Sequence, residues 1–418
     1  MHISGQPESR RESVATHDVP MLLRAELWLT LFVFAGILKG NAAIGALDLP
    51  DLTALFGLLS AEALLLESWL TWKLPWPDLS WVDLWLGLCC IVVVAGAVQN
   101  AHADYAVSKA AQFVGLAVAA SYGVPRCVAR VRGSAEEVTG TVVLVMSVLG
   151  TAFALAAFLG VAGASVVSFG GTYQSWGYFA GASAICTLAL FAEHEGVRPR
   201  LFLCPALALQ VAAVGACGAR GPFVALAAAL VLTALGLLAI RPKTVGFLVS
   251  VSAIAILGIA LALAPKESRA RVELLVAEDK GASVELRESS YKEALDMFAK
   301  QPLFGAGTGN FAVRDPYLLY PHNVVLEVMS EDGILGVLVF SGFVITATWR
   351  AWRAWRMARL RRARSRVPVA FLLCIFFGLQ AMVSGDIANR ELFFVLGLLT
   401  AASTMGLAYV RPRAHIML

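Results

Sequence analysis

Residues 140–164 read GTVVLVMSVLGTAFALAAFLGVAGA, a stretch without one charged side chain. An α-helix needs about 20 apolar residues to cross the roughly 30 Å hydrocarbon core of a bilayer. Similar apolar blocks recur along the chain, in which apolar residues make up 59% and charged residues 15%. Soluble domains carry about 25% charged residues. The blocks also lack the period-two alternation of β-barrel strands. The sequence therefore predicts an all-α, polytopic integral membrane protein.

The apolar blocks predict about twelve transmembrane helices. Two boundaries are weak, because Lys39 interrupts the first block and only a tight turn at Arg220 separates the seventh and eighth. The predicted spans lie near 25–45, 51–70, 81–99, 105–122, 140–164, 176–191, 200–217, 221–240, 245–264, 323–348, 367–385 and 392–410. They divide the chain into an N-terminal tail (1–24), the spans of 25–264, a hydrophilic loop (265–321), the spans of 322–410 and a C-terminal tail (411–418).

Basic residues predict the orientation of the chain, because cytoplasmic loops are enriched in Lys and Arg. With both termini in the cytoplasm, the outer loops between spans carry few basic residues, chiefly Arg220 and Arg390. The loop 265–321 then lies outside, which for a bacterial inner membrane is the periplasm. The arginine-rich stretch 350–366 is interpreted as an inner-face anchor and not as a nucleic-acid site. The inner basic residues are Arg126, Arg130, Arg132, Arg198, Arg200, Arg241, Lys243, Arg350, Arg353, Arg356, Arg359, Arg361, Arg362, Arg364, Arg366, Arg411 and Arg413.

The hydrophilic loop contains a predicted amphipathic helix, which Ser289 or Ser290 caps at its start and Pro302 ends. A glycine-rich turn follows, in which glycines allow the backbone to approach other groups closely. No strand precedes this turn, so it is not a dinucleotide-binding fingerprint. The turn contains Gly305, Gly307 and Gly309, and the apolar face of the helix contains Tyr291, Ala294, Leu295 and Phe298.

Three side chains at the outer mouth of the predicted bundle are candidates for chemistry. His322 begins an apolar run, and an imidazole with a pKa of about 6.5 accepts a proton near neutral pH. Arg220 lies on the predicted outer side, where basic residues are rare, and such a charge is a candidate for function. The helix that follows it offers free N–H groups to an anion. Arg287 presents paired donors suited to phosphate oxygens. The simpler interpretations are an interfacial histidine, a snorkelling arginine and a solvated surface arginine.

Acidic residues follow His322 within the same predicted span. Glu327 lies about 7 Å deeper along the axis at 1.5 Å per residue, on another face of the helix, so a direct pair with His322 is not expected. Together with Glu331 and Asp332 it indicates positions that face the bundle interior. The other candidates to support the site are Asn323, Asp386 and Arg390.

Two stretches together resemble the O-antigen ligase and polymerase superfamily. Residues 302–311 read PLFGAGTGNF, and residues 322–327 read HNVVLE with GILG at 333–336. The Arg220-Gly221 pair at the start of a span and the large outer loop in the C-terminal half add to this resemblance. The clear match covers roughly residues 200–345, whereas the N-terminal half is similar in hydrophobic pattern alone.

The resemblance implies a glycosyltransferase of surface polysaccharide biosynthesis, which moves a glycan from undecaprenyl diphosphate to an acceptor hydroxyl at the periplasmic face. The family's histidine falls on His322 as general base, and its arginines fall on Arg220 and Arg287 as ligands of the diphosphate. Asn323, Glu327, Gly305, Gly307 and Gly309 support the site. The reaction is expected to be an inverting displacement without metal or other cofactor. The implied partners are the lipid-linked oligosaccharide, a glycan or lipid acceptor, membrane lipids, and the flippase and chain-length regulator of the same pathway.

Several alternatives stay open at this point. The short segment between Arg287 and His322 slightly favours a polymerase over a ligase that acts on lipid A–core, because ligases often carry a longer insertion there. A transporter or flippase of lipid-linked glycan should show broken helices and charges near the membrane midplane. A non-catalytic assembly subunit would tolerate substitution of His322.

Overall fold

The computed structural model describes residues 20–404 apart from 48, 77–78, 162–164, 168, 170, 195, 239–254, 256–257, 260–261, 263, 274–281, 316–317 and 361–364. All regular elements within these residues are helical, as composition predicts. They are α1 (Ala25–Val33), α2 (Ala35–Lys39), α3 (Ala42–Gly45), α4 (Leu52–Thr71), α5 (Trp81–Gln99), α6 (Asp104–Gln112), a π-helical segment (Phe113–Gly123), α7 (Val124–Arg132), α8 (Ala135–Leu159), α9 (Tyr173–Glu193), α10 (Val197–Cys217), α11 (Arg220–Leu238), α12 (Lys266–Glu273), α13 (Ala282–Lys300), α14 (Phe311–Arg314), α15 (Val324–Leu360), α16 (Val367–Ala381) and α17 (Arg390–Thr404), with one 3₁₀ turn at Met21–Leu23.

Six of the described helices are long and apolar enough to cross a membrane, namely α4, α5, α8, α9, α10 and α15. Shorter apolar helices lie in α11 and α16. The all-α membrane protein is thereby confirmed, whereas the predicted number of spans stays a prediction. The predicted ninth span at 245–264 lies mostly outside the described residues, as do the tail 1–24 and all of the tail 411–418.

The two ends of the bundle are defined by the contacts of α5. At its start, Asp83 forms an ion pair with Arg126 of α7. At its other end, about 28 Å away for 19 residues, the Asn100 side chain donates a hydrogen bond to the Ala306 carbonyl at 3.0 Å. We call these the Arg126 end and the Ala306 end. The glycine-rich turn therefore lies at the Ala306 end.

The first predicted span is not one continuous helix. It breaks at Phe34, whose φ and ψ of −101° and 14° separate α1 from α2. Arg390 binds this break, because its Nη1 donates to the Phe32 carbonyl at 3.0 Å and its guanidinium lies 5.7 Å from the Phe32 ring centroid. The span predicted at 25–45 is therefore broken at Phe34 as well as weakened by Lys39, and Arg390, a candidate to support the site, contacts this break instead.

The predicted span at 323–348 is also broken, at Gly333, where φ is 66° and ψ is −161°. Residues 302–307 supply hydrogen bonds to the backbone on both sides of the break. Gly307 N–H donates to the Glu331 carbonyl at 2.7 Å, and Ile334 N–H donates to the Pro302 carbonyl at 2.8 Å. The residues before the break form a short segment of α15, 324–332, which carries all three acids. The span predicted at 323–348 therefore lies in a helix long and apolar enough to cross a membrane, but this helix is broken at Gly333, which hydropathy did not indicate.

Substituting Gly333 by alanine is expected to destabilise the fold. The backbone conformation at Gly333 is essentially restricted to glycine and costs other residues about 1–3 kcal/mol. An added Cβ would also lie 2.5 Å from the Gly305 nitrogen. Thermal unfolding in detergent measures the effect. The control is Gly378→Ala in α16, where an added Cβ has no atom within 4 Å and alanine favours the helix. Equal stability of the two variants would contradict the prediction.

Helix α13 is the predicted amphipathic helix, but it begins earlier than predicted. It starts at Ala282, and Ser290 lies inside it with its hydroxyl donating to the Leu286 carbonyl at 2.8 Å. The prediction that Ser289 or Ser290 caps the helix was therefore wrong. The helix ends at Lys300, just before Gln301 and Pro302, as predicted. Its buried side chains are Ser290, Ala294 and Met297, while Leu295, which was expected on that face, is exposed.

Candidate active site

The glycine-rich turn is packed tightly against three helices. Gly305, Gly307 and Gly309 have φ values of 69°, 90° and 80°, a region that disfavours other residues. A Cβ on Gly305 would lie 2.3 Å from the Glu331 carbonyl carbon, and one on Gly309 would lie 2.5 Å from the Ala106 Cα. The close backbone approach predicted for these glycines is therefore observed. The backbone of the turn lies against α5, α6 and α15.

His322 lies in the loop directly before α15, and its conformation is unusual. Its φ of 56° is in the left-handed region, which costs a non-glycine residue about 1–2 kcal/mol. Asn323 caps the helix that follows, because its Oδ1 accepts from the Val325 and Leu326 N–H groups at 3.0 and 3.1 Å. The cap fixes the start of α15 and with it the position of His322. The ring of Tyr320 packs against the imidazole with centroids 4.5 Å apart.

The His322 ring is half-buried, and one of its nitrogen atoms lacks a hydrogen-bond partner among the described residues. This atom is Nδ1, and it is buried. A buried polar atom left without a partner costs about 1–3 kcal/mol, which a ligand hydroxyl would relieve. Burial lowers the pKa of His322 below its usual 6.5, and the positive charge of Arg287 lowers it further. A hydrogen bond with the Ser384 backbone acts in the opposite direction. The imidazole is consequently mostly neutral at pH 7.

Arg287, in the first half of α13, is half-buried and close enough to act on His322 electrostatically. Within the part of the chain that the structure describes, it forms no ion pair with a carboxylate. Its charge also reaches Tyr178 of α9, which in turn lies beside the Ser384 side chain. Arg287, His322, Tyr178 and Ser384 are thus brought together from four separate parts of the chain.

Arg220 is the first residue of α11, directly after the turn that ends α10, and it is half-buried. The next residue, Gly221, packs against Tyr178, since a Cβ on this glycine would lie 2.3 Å from the Tyr178 hydroxyl oxygen. Tyr178 therefore links the start of α11 to the neighbourhood of Arg287 and Ser384. The three candidates from the sequence belong to one region at this end of the bundle.

The acids of α15 have partners that the sequence analysis did not identify. Lys109 of α6 forms ion pairs with Glu327 and, at 2.5 Å, with Glu331, and all three side chains are 1% exposed. Asp332 accepts a hydrogen bond from the Thr308 hydroxyl at 2.9 Å. Glu327 does not pair with His322, as expected from the helical spacing. Lys109 could have been identified as a candidate from the sequence, because an ionisable residue within a predicted span is a functional candidate.

The loop 382–389, between α16 and α17, closes the region from another side. It contains Ser384, beside His322, and Ile387, whose N–H donates to Glu327 Oε2 at 3.0 Å. Asp386 also lies in this loop. Burial raises its pKa above the usual value, and the positive charge of Lys109 lowers it in part. The candidate Asp386 therefore lies near the site, while the described contacts of Arg390 are those at Phe32.

These features define a helical membrane protein with a polar site at one end, built around a neutral histidine and an arginine that has no carboxylate partner among the described residues. Residues 205–341 match the sequence model of the family described as O-antigen ligase. This match confirms, over these residues, the resemblance to the O-antigen ligase and polymerase superfamily that the sequence shows. It includes Arg220, Arg287, the glycine-rich turn and His322. No curated protein matches the chain. Among the described residues, no group of three or more His, Cys, Asp or Glu side chains is arranged to hold a metal ion.

Proposed function

We propose that this protein is a glycosyltransferase that moves a glycan from undecaprenyl diphosphate to an acceptor hydroxyl at the periplasmic face of a bacterial inner membrane. The observation that carries this proposal is that His322 and Arg287 lie close together in one polar site. A neutral imidazole with an unpartnered nitrogen suits a general base. A guanidinium that no described carboxylate neutralises suits the anionic leaving group beside it. The family match at 205–341 supports the same class of reaction.

The proposed reaction is a single displacement. The acceptor hydroxyl oxygen attacks the anomeric carbon of the donor sugar while the bond from that carbon to the diphosphate oxygen breaks. His322 takes the hydroxyl proton, and the lipid diphosphate leaves with the bonding electron pair. Attack opposite the leaving group inverts the anomeric centre. Charge builds up on the diphosphate in the transition state, and Arg287 and Arg220 stabilise it in a partly dehydrated site.

The acceptor decides between a polymerase and a ligase. The short segment between Arg287 and His322 leaves little room for a domain that receives lipid A–core, so we favour a polymerase whose acceptor is a second lipid-linked repeat unit. The size-resolved glycan profile of a deletion strain tests this choice. A polymerase deletion accumulates single lipid-linked repeat units, whereas a ligase deletion accumulates long lipid-linked chains. Complementation with His322→Ala should reproduce the deletion profile. A wild-type profile at normal protein levels would reject the catalytic proposal and favour a transporter or scaffold.

The pH dependence of transfer follows from the lowered pKa of His322. A base with a lowered pKa stays neutral to lower pH, so the acid limb of kcat/KM should lie below pH 6.5. Arg287→Gln removes a positive charge that favours the neutral imidazole, so in this variant the acid limb should move to higher pH. Both profiles are measured with purified protein and a lipid-linked oligosaccharide donor. A wild-type acid limb above pH 6.5, or an unmoved limb in Arg287→Gln, would contradict the assignment.

A further inference from the structure

Lys109 is a buried cation at the junction of several elements. Its ammonium group bonds two carboxylates, Glu327 and Glu331, and neither it nor they have more than 1% exposure. The ring centroid of Tyr105 lies 5.7 Å from this ammonium group. Lys109 lies in α6, outside the region 205–341 that matches the family, and the proposed reaction assigns it no chemical step.

Each glutamate bound by Lys109 uses its second oxygen to accept a hydrogen bond from the backbone of a different segment. Glu327 Oε2 accepts from the Ile387 N–H at 3.0 Å, in the loop that contains Ser384. Glu331 Oε1 accepts from the Phe311 N–H at 3.3 Å, directly after the glycine-rich turn. One cation thus connects α6, the first segment of α15, the loop 382–389 and the start of α14, which directly follows the glycine-rich turn.

This connection matters because the first segment of α15 is short and ends at the break at Gly333. An isolated helical segment of this length is unstable, so its position depends on tertiary contacts. The segment begins just after His322, and the loop that Glu327 holds through Ile387 touches His322 through Ser384. The first segment of α15 and the loop 382–389, which both adjoin His322, are therefore both held in place through Lys109.

We propose that Lys109 is a positioning residue for the transfer reaction, which fixes His322 and the loop 382–389 relative to each other through Glu327 and Glu331. This inference rests on the proposed function, because positioning is measured through transfer. Without the ammonium group, the two buried carboxylates on this segment of α15 would lose their shared counter-ion, which would destabilise the contacts that they make with Ile387 and Phe311. A displacement of about 1 Å at a reacting group lowers a rate by as much as about 100-fold.

The chain offers a matched control at the Arg126 end of the bundle. Arg132 is also a buried cation that bridges two glutamates, with Nε 3.0 Å from Glu26 and Nη2 2.8 Å from Glu67. It connects α7, α1 and α4. Loss of Arg132 removes the same kind of buried ion cluster far from His322. Lys109→Met and Arg132→Met can therefore be compared directly.

The experiment measures kcat, KM for a lipid-linked oligosaccharide donor, the pH profile and thermal unfolding on the same detergent-purified full-length variants. Lys109→Met should lower kcat by about 10- to 100-fold with a smaller change in KM. Its acid limb should move up towards pH 6.5, because a displaced His322 is more hydrated and farther from Arg287. Arg132→Met should lower the unfolding temperature to a similar extent but leave kcat and the acid limb near those of wild type.

Glu327→Gln covers the case in which Lys109→Met does not fold. The amide oxygen still accepts from Ile387 but no longer forms an ion pair with Lys109, so kcat and the acid limb should change in the same direction and to a smaller extent. Variants at Lys109 and Glu327 that lose stability but keep the wild-type acid limb and kcat would overturn the inference. The proposed function fails on a different result, namely retention of transfer by His322→Ala.

Discussion

Replacing His322 by alanine is expected to lower kcat for glycan transfer by about 10²–10⁴-fold, the usual contribution of a general base. Alanine removes the only group in the proposed scheme that takes the hydroxyl proton of the acceptor. His322→Gln should be nearly as slow, because an amide can accept a hydrogen bond but does not take up a proton near neutral pH. The rate is measured with purified protein in lipid nanodiscs, from the size of the products formed on a lipid-linked oligosaccharide.

The control for this prediction is His102→Ala. His102 lies at the same end of the bundle, in the turn between α5 and α6, but it is exposed. Its substitution should leave the rate unchanged, which separates loss of a base from loss of any histidine in this region. Transfer by His322→Ala at a rate close to that of His102→Ala would remove His322 from the mechanism.

Replacing Arg287 by alanine is expected to lower kcat by about 10²–10³-fold, the range found when one preorganised donor to a developing negative charge is removed. Within the described residues, no carboxylate holds Arg287 in an ion pair, so its full charge is available to the leaving diphosphate. Arg287→Lys should recover part of the rate, because an ammonium group keeps the charge but loses the paired donors of the guanidinium. The same product assay measures both variants.

Lys292→Ala is the matched control for Arg287, since Lys292 is a cation on the same helix and is exposed. It should keep the wild-type rate, which excludes a general effect of net charge in α13. The division between kcat and KM provides a second check. A rise in KM with unchanged kcat would mean that Arg287 binds the diphosphate equally in the ground and transition states. That result would contradict its proposed role in stabilising the leaving group.

The class of protein and the main candidates follow from the sequence because they depend on local patterns. Long apolar blocks predict membrane helices wherever they occur, and the motif around His322 lies in one continuous region. The turn at Arg220 is also local, and the structure separates α10 from α11 there by two residues. For the same reason, the helical spacing correctly argued against a pair between His322 and Glu327.

The residues that complete the site were not predicted because they are distant in sequence and lie in apolar surroundings. Tyr178 is one aromatic residue within a span, and its pattern does not show that it packs against Gly221. Ser384 is equally unremarkable in its loop. The break at Gly333 was missed because hydropathy is insensitive to one glycine within a 37-residue helix. The three acids before that glycine were the available indication, since an unbroken lipid-facing helix disfavours such a cluster.

The ion pairs of Lys109 also have a consequence for the synthesis of this protein. The ribosome makes Lys109 222 residues before it makes Glu331. At about 5–20 residues per second, translation leaves an interval of roughly 10–40 s between the two. An unpaired lysine within a membrane span is unfavourable, so α6 gains its full stability only after the carboxylates of α15 are inserted. The N-terminal half of the nascent chain is therefore not fully stable until the C-terminal third has been made. The polar site is assembled near the end of translation.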